Sequence, residues 1–428
     1  MGVLILAVAS PLEEERIRYV KSSLDMLSDR LRDRPGVEAV ELATSLSEVR
    51  EALERVGGRV DAAAVVVLSG GTDRMIYETV RRLGKPVLVY AQPLHNSLAS
   101  VREAVAALRS EGLDVKVDYG DLKEAPDRLE DFVSAVNAYS RLRGSRVGLV
   151  GRPEPWLLIR RDSGLVRDRL GVELVEVDWN EMLEEARAVD GAEVSGVVDK
   201  LYSMFGRVEV PRGDLEKAVR LYLAMKRLAE KYGLDAMAVE ARDMLREELR
   251  DWGPYLGVAL ISDDGVTADY EVDVDAIITK LIFTLISGRQ SFMANITRID
   301  TSENTLVFSH CTIPPSMIDT KSSVLTTYFE TDKTVAIKGK MPEGIKVTFA
   351  RIGGSRLDKI MIGTGEIING FLDDPSLCRT QALVRVNGNP LKTLEYTLGN
   401  HTILAYGDLS RKLEYFAWIA GLETLRIS

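Results

Sequence analysis

Residues 270–315 read YEVDVDAIITKLIFTLISGRQSFMANITRIDTSENTLVFSHCTIPP, and the character of the chain changes inside them. The segment opens on Glu271, Asp273 and Asp275 and runs on as an apolar helical pattern to about residue 286. Acids are stabilised electrostatically at a helix N-terminus, so a helix is expected to begin at Glu271. Past Gly288 the chain breaks into short β-branched runs separated by Gly, Pro and Asn. NTLVFSH (304–310), TTYFETD (326–332), KTVAIKGKM (333–341), IKVTFARIGG (345–354), KIMIGTGEII (359–368), QALVRVNG (381–388) and HTILAYGD (401–408) recur at the spacing of an antiparallel sandwich or barrel. A β-rich C-terminal domain is therefore expected at 287–428, closed by a last helix in LSRKLEYFAWIAGLE (409–423).

Upstream of this boundary the texture is α/β. VLILAVAS (3–10), VEAVELAT (37–44), DAAAVVVLSGG (61–71) and PVLVYAQP (86–93) are strand candidates separated by Arg/Glu-rich helices. Their near-continuous apolar character suits a mostly parallel sheet covered on both faces. SRVGLVG at 145–151 restarts the pattern, with VELVEVDW (172–179) and LGVALIS (256–262) as further strands and GDLEKAVRLYLAMKRLAEKYG (213–233) as a long helix ending at Gly233. The fold class is α/β, with two Rossmann-like domains at 1–142 and 143–286 before the β-rich barrel or sandwich, and the functional cleft is expected between the second and third. VGLVGRPEPWLLI (147–159) lacks the third glycine of a dinucleotide fingerprint, which argues against a nicotinamide cofactor. Ser69-Gly70-Gly71-Thr72 reads as a tight turn in preference to a phosphate cradle.

Composition narrows the function classes. A formal charge of −10 with interleaved Lys and Arg argues against nucleic acid and anionic membranes, and no apolar stretch reaches the roughly 20 residues of a membrane span. MGVLILAVASPLEEE lacks a basic n-region and reads as a buried first strand instead of a signal peptide. Two cysteines, Cys311 and Cys378, point to a reducing cytoplasm. Glutamine occurs only at positions 92, 290 and 381 while Glu and Arg abound, a bias of thermophile proteins.

The chain holds three histidines, His95 after a strand, His310 at a strand end and His401 at a strand start. Taken singly, each is as well explained as a surface or core residue. Three spaced elements give the latter two a context: Glu271-Val272-Asp273, Phe292-Met293-Ala294-Asn295 and Asn400-His401-Thr402, with Ser309-His310-Cys311 as a fourth. In order and spacing these resemble the metal-binding core of the L-fucose and L-arabinose isomerase superfamily. There an E-x-D element opens a helix, an F-M/A-acid element follows, and a histidine near the C-terminus completes a divalent site. The resemblance implies that Glu271, His401, His310 and Asn295 ligate Mn²⁺ or another divalent metal, with Glu271 and Asn295 in the catalytic positions. The chain departs from the pattern at Asn295, where the relatives carry an acid; an amide cannot take a proton near neutral pH. Glu240 and Asp243 compete for the role of substitute acid with a reading as the solvated face of a helix running through LREELRDW.

An aldose–ketose isomerase holds adjacent sugar oxygens on a divalent ion while a base moves a proton between neighbouring carbons, which is why carboxylate and imidazole are the residue types needed. Arg379 is a candidate for an anionic sugar substituent, with a structural pair to a nearby Asp as its competitor. Trp156 and Phe329-Glu330 are candidates for the sugar pocket. The resemblance also implies a homo-oligomer, trimer or hexamer, in which His95 and Asn96 border a neighbour's site. The expected function is a metal-dependent isomerase of a sugar or sugar derivative. The competing reading is a non-isomerising carbohydrate-binding or regulatory relative, or an aldolase or epimerase working with one base.

Overall fold

The structure, a computed structural model, describes residues 2–10, 14–241 and 251–427. By compactness the chain divides into two units, Met1–Ser140 with Arg411–Ile419, and Arg141–Ser410 with Ala420–Ser428.

The first unit alternates strands and helices: β1 (Gly2–Val8), α1 (Glu14–Leu31), β2 (Val37–Ala43), α2 (Leu46–Val56), β3 (Val60–Val67), α3 (Asp73–Leu83), β4 (Val87–Ala91), α4 (Ser97–Ser110), β5 (Lys116–Tyr119) and α5 (Ala125–Leu142). The strands form one parallel sheet in the order β2-β1-β3-β4-β5. β1 is buried at every residue and β3 at nearly every one, as expected of central strands covered on both faces, whereas the edge strands β2 and β5 are only half-buried.

The second unit opens with β6 (Arg146–Val150), α6 (Ser163–Leu170), β7 (Glu173–Val177), α7 (Trp179–Ala188), α8 (Gly191–Met204), β8 (Arg207–Val208), α9 (Arg212–Tyr232), β9 (Ala236–Val239), α10 (Tyr255–Asp263), β10 (Thr267–Tyr270) and α11 (Val274–Ser287). Its parallel sheet has the order β10-β9-β6-β7. The chain leaves β6 toward β7 and returns on the other side at β9, so the order reverses between β6 and β9, where open parallel sheets place a crevice at the strand carboxyl ends. Residues 256–262, expected as a strand, are the body of α10. The run is buried on nearly all sides, and a uniformly apolar stretch has no period by which helix and strand differ. The strands that fill the sheet, β9 and β10, are short enough to leave little pattern.

α11 ends at Gly288, whose left-handed φ of 67° lets its N–H close on the Thr284 carbonyl. β structure follows: β11 (Phe292–Asp300), β12 (Thr305–His310), β13 (Val324–Thr326), β14 (Ala336–Lys338), β15 (Lys346–Gly353), β16 (Lys359–Asn369), β17 (Thr380–Asn387), α12 (Lys392–Glu395) and β18 (His401–Tyr406). The order β15-β18-β11-β12-β17-β16, with β16 pairing back to β15, closes a six-stranded antiparallel barrel. Alternate residues such as Phe292, Ala294, Phe308, Phe349 and Leu404 share its core. TTYFETD is not a strand, because the chain turns there: Asp332 N–H donates to the Tyr328 carbonyl, and Asp332 and Thr334 have left-handed φ. After the barrel, α13 (Ser410–Ile419) joins the first unit through Tyr415 Oη–H to Asp118 (2.7 Å), and β19 (Glu423–Arg426) returns to pair parallel with β16. Among the described residues, no helix is long and apolar enough to cross a membrane.

Candidate metal centre

The site begins where β10 stops. Glu271 N–H continues the ladder onto the Val239 carbonyl (2.8 Å), and the backbone then turns through a left-handed φ of 67° at Glu271 itself. A non-glycine residue pays about 1–3 kcal/mol for such a conformation, so the surroundings must hold it. Glu154 does so from the loop after β6: fully buried, its two oxygens accept the N–H groups of Ala241 and Val272, each at 2.8 Å. Burial first, and then the nearby Glu271 charge, push the Glu154 carboxyl up to about 7 against these two hydrogen bonds. Asp273 caps α11 by accepting Ala276 N–H (3.1 Å).

The barrel brings the imidazoles. His310 is the last residue of β12, His401 the first of β18, and β11 lies between these strands. One ligand atom from each of Glu271, His310 and His401 lies within 4.8 Å of the others. His401 Nε2 is 3.4 Å from Glu271 Oε2, and its Nδ1 is 2.9 Å from Asp273 Oδ2. Arg351 grips Asp273 with both terminal nitrogens (2.9 and 3.0 Å) and also donates to the His401 carbonyl (2.7 Å), all of it buried. Trp156 Nε1–H donates to Glu271 Oε2 (3.0 Å). Asn295 faces His401 on one side of the ladder and Ser309 on the other, so its side chain shares a sheet face with His401.

The second histidine is held differently. His310 stacks on Tyr270 with ring centroids 4.3 Å apart, and its Nδ1 is 3.8 Å from Asp269, too far for a hydrogen bond. Asp269 is instead paired with the buried Lys280. Burial, reinforced by the charges of His401 and Lys280, drives His310 well below the ordinary histidine range. His401 goes the other way: burial opposes its charge, yet the Asp273 carboxylate bonded to Nδ1 and the Glu271 carboxylate 3.4 Å from Nε2 raise it to about 10. Burial likewise works against the Asp273 charge, and Arg351 and His401 outweigh it to hold that carboxyl well below the usual range.

Both ring nitrogens of His310, Nε2 of His401 and Oδ1 of Asn295 are buried without a hydrogen-bond partner among the described residues. Each such group costs about 1–3 kcal/mol if nothing satisfies it. A cation bound by two imidazole nitrogens, a carboxylate and an amide oxygen would satisfy one nitrogen of each ring and the amide, and that mixed N/O set suits Mn²⁺, Fe²⁺ or Zn²⁺. The donors present therefore fit a divalent ion.

Of the residues singled out from the sequence, Glu271, His310, His401 and Trp156 meet here, with Asn295 beside His401 in the ladder. Arg379 donates to the Thr327 carbonyl and to Asp332 (2.8 Å each) and lies over the Phe329 ring. Glu330 accepts from Tyr328 Oη–H (2.9 Å). His95 and Asn96 lie in the first unit after β4, both with left-handed φ, beside a polar pocket that includes Ser10, Ser69 and Gly70. Glu240 corrects an expectation: it is no solvated helix face but the buried residue after β9, where Oε2 accepts Arg152 N–H (2.8 Å). Asp243 lies outside the described residues.

Sequence reading missed Asp273 as the partner of His401 and Asp269 as the partner of Lys280, and gave no role to Arg351, Lys280 or Glu154. Two of them left a signal. Arg351 is the lone charge inside TFARIG, and Lys280 the lone charge inside AIITKLIFTLI; a single charge in an apolar run implies a buried partner.

No protein-family model matches the chain. By sequence it is similar to the sulfoquinovose isomerases of Priestia aryabhattai and Priestia megaterium, 22% identical over 411 residues and 90% of each chain. The sulfoquinovose isomerase of Alkalicoccus urumqiensis is 20% identical over 284 residues, 64% of each chain. The relatives are sugar isomerases by name, and the likeness to the Priestia proteins covers 90% of this chain.

Proposed function

We propose that the protein is a divalent-metal-dependent aldose–ketose isomerase that moves a proton between neighbouring carbons of an open-chain sugar through a cis-enediol. The observation that carries this reading is the convergence of Glu271, His310 and His401 within 4.8 Å, on imidazole nitrogens that have no other partner. Glu271, His310, His401 and the Asn295 carbonyl oxygen would hold the ion, Mn²⁺ by preference. When bound, such an ion polarises the sugar carbonyl and the adjacent hydroxyl.

The chain's own residues supply the rest. The contacts of Trp156 and His401 both fall on Oε2 of Glu271, which leaves Oε1 to receive the proton from carbon. Asp273 holds the His401 ring by Nδ1 and so aims Nε2 at Glu271. Trp156, 42% exposed, offers an aromatic face at the mouth. The named substrate of the relatives extends to this chain as part of the proposal: sulfoquinovose, an aldohexose with a sulfonate on C6. A homo-oligomer, trimeric or hexameric, in which His95 and Asn96 border a neighbour's site, belongs to the same reading; a monomer by light scattering would remove it.

Asn295 favours a second reading. An amide beside His401 cannot relay a proton, which suits an aldolase or epimerase that needs one base. Incubating the Mn²⁺-loaded protein with ¹³C-labelled sulfoquinovose and neutral aldoses, followed by NMR, separates the two. A ketose product supports isomerisation, while shorter fragments or an epimer support the second reading. No turnover, together with no bound metal after purification in Mn²⁺, would end both.

A further inference from the structure

We propose that Arg152 and Arg160 form the subsite for an anionic substituent of the sugar, a sulfonate or phosphate remote from the reacting carbons. The proposal rests on the sugar-isomerase reading above and adds to it where the charge is recognised.

Both arginines lie in the loop between β6 and α6, which crosses the candidate site as a strap tied down at four points. Gly151 starts it with φ 86°; a Cβ there would lie 2.1 Å from Glu240 Oε2, so only glycine lets the next N–H, that of Arg152, reach that carboxylate at 2.8 Å. Glu154 ties the strap to the Glu271 turn through Val272 N–H, and Trp156 ties it to Glu271 itself. Arg161 closes it with a two-pronged pair to Asp275 in the first turn of α11 (2.7 and 2.6 Å). A loop fixed in this way already has its backbone ordered next to Glu271, so on binding an anion only the intervening side chains remain to be ordered.

The charges on the strap are unequal in their engagement. Arg161 is buried and paired, and Arg379, on the barrel, has Asp332. Arg152 and Arg160 are exposed and, among the described residues, have no carboxylate within ion-pair distance; Arg160 spends one nitrogen on the Glu154 carbonyl (2.8 Å), the residue whose side chain holds the Glu271 turn. In a protein of formal charge −10, two guanidinium groups with no acid partner among the described residues, on a strap bonded to the candidate ligand Glu271, are a recognition element for an anion. The planar donor fork matches a tetrahedral oxyanion by two hydrogen bonds at once. Sulfonate and phosphate share this chemistry.

The test is calorimetric binding to the full-length Mn²⁺-loaded protein of four sugars: sulfoquinovose, glucose 6-phosphate, and the neutral 6-deoxyglucose and glucose. Wild type should bind at least one anionic sugar about tenfold or more tighter than 6-deoxyglucose, consistent with a charge-assisted bond. Whichever anion is preferred identifies the substituent. In Arg152→Gln/Arg160→Gln that ratio should fall toward one, and Arg152→Lys/Arg160→Lys should restore part of it. Equal affinities in wild type, no binding of any of the four, or a ratio unchanged by the Gln pair would overturn the subsite. Ketose formation is scored separately: an anion preference lost in the Gln variants without any turnover in wild type would sink the isomerase reading and leave the subsite standing.

Discussion

On the His401 side of the candidate centre, the histidine is locked: Asp273 takes Nδ1, Arg351 takes both oxygens of Asp273, and the same guanidinium takes the His401 carbonyl. On the His310 side the ring rests on Tyr270 with neither nitrogen bonded, and the nearest acid, Asp269, is committed to Lys280. Both histidines belong to one barrel and face one glutamate. The difference teaches that orientation and affinity are divided between them: the first side is organised before any ion arrives, while the second holds orphaned nitrogens whose cost a ligand would remove.

The largest effect expected from disturbing this contrast is on stability. Arg351→Met leaves Asp273 buried without its guanidinium, and breaking a buried pair from one side costs about 3–5 kcal/mol. Denaturant unfolding of the metal-free protein should show it, and adding Asp273→Asn should recover a large part. If Arg351→Met unfolds with the wild-type midpoint, the His401 side is not organised by this pair.

Next is the ion. Glu271→Gln should weaken Mn²⁺ binding by about 100-fold or more, since even outer-shell changes cost 10–100-fold, while leaving the fold intact. Metal analysis after gel filtration is the readout, and full retention would strike Glu271 from the ligand set.

A sharper probe uses the two rings against each other. His310→Phe replaces an unsatisfied ring by an apolar one, so the metal-free protein should gain up to about 1–3 kcal/mol. The same change at His401 should destabilise it, because Asp273 loses a partner. Wild type should also gain about 2.7 kcal/mol when Mn²⁺ is supplied at 100 times its Kd, a gain that His310→Phe should diminish. Thermal shifts with and without Mn²⁺ measure all three, and identical responses at the two positions would erase the distinction between the sides.

The last contrast is in the pH dependence of the metal-free protein. His401 is raised from its ordinary value near 6.5 to about 10, so its protonated form stabilises the fold. That contribution is complete below about pH 6.5 and is lost as pH rises through 10. Wild type should lose more stability between pH 7 and 10.5 than His401→Gln; parallel profiles would place the charge elsewhere.

Much of the architecture was legible because it is periodic. The central strands of the first unit announce themselves as continuous apolar runs, and the change at Gly288 marks where 3.6-residue periodicity gives way to short strands. Reading failed where the period vanished. Residues 256–262 are apolar throughout and became α10, while β9 and β10 carry few residues each. In the site, Glu271, His310 and His401 were visible as residue types at spaced positions, and Trp156 as an aromatic in a loop. Glu240 was misplaced because its acid-rich surroundings mimic a solvated helix face, whereas its burial follows from the strand before it.

Local propensity and residue chemistry set the strongly periodic elements and the stock of ligand-type side chains, which is why both could be read without the fold. Tertiary structure alone decided which charges are paired and which stand free. Asp273 and Arg351 are 78 residues apart, Trp156 and Glu271 115 apart, and Glu154 and Val272 118 apart. A buried charge is tolerated only if some partner reaches it, and no local pattern restricts how far along the chain that partner lies. The sheet switch between β6 and β9 and the closure of the barrel bring these distant positions together, and among the described residues they leave Arg152 and Arg160 without an acid while giving Arg161 and Arg351 one.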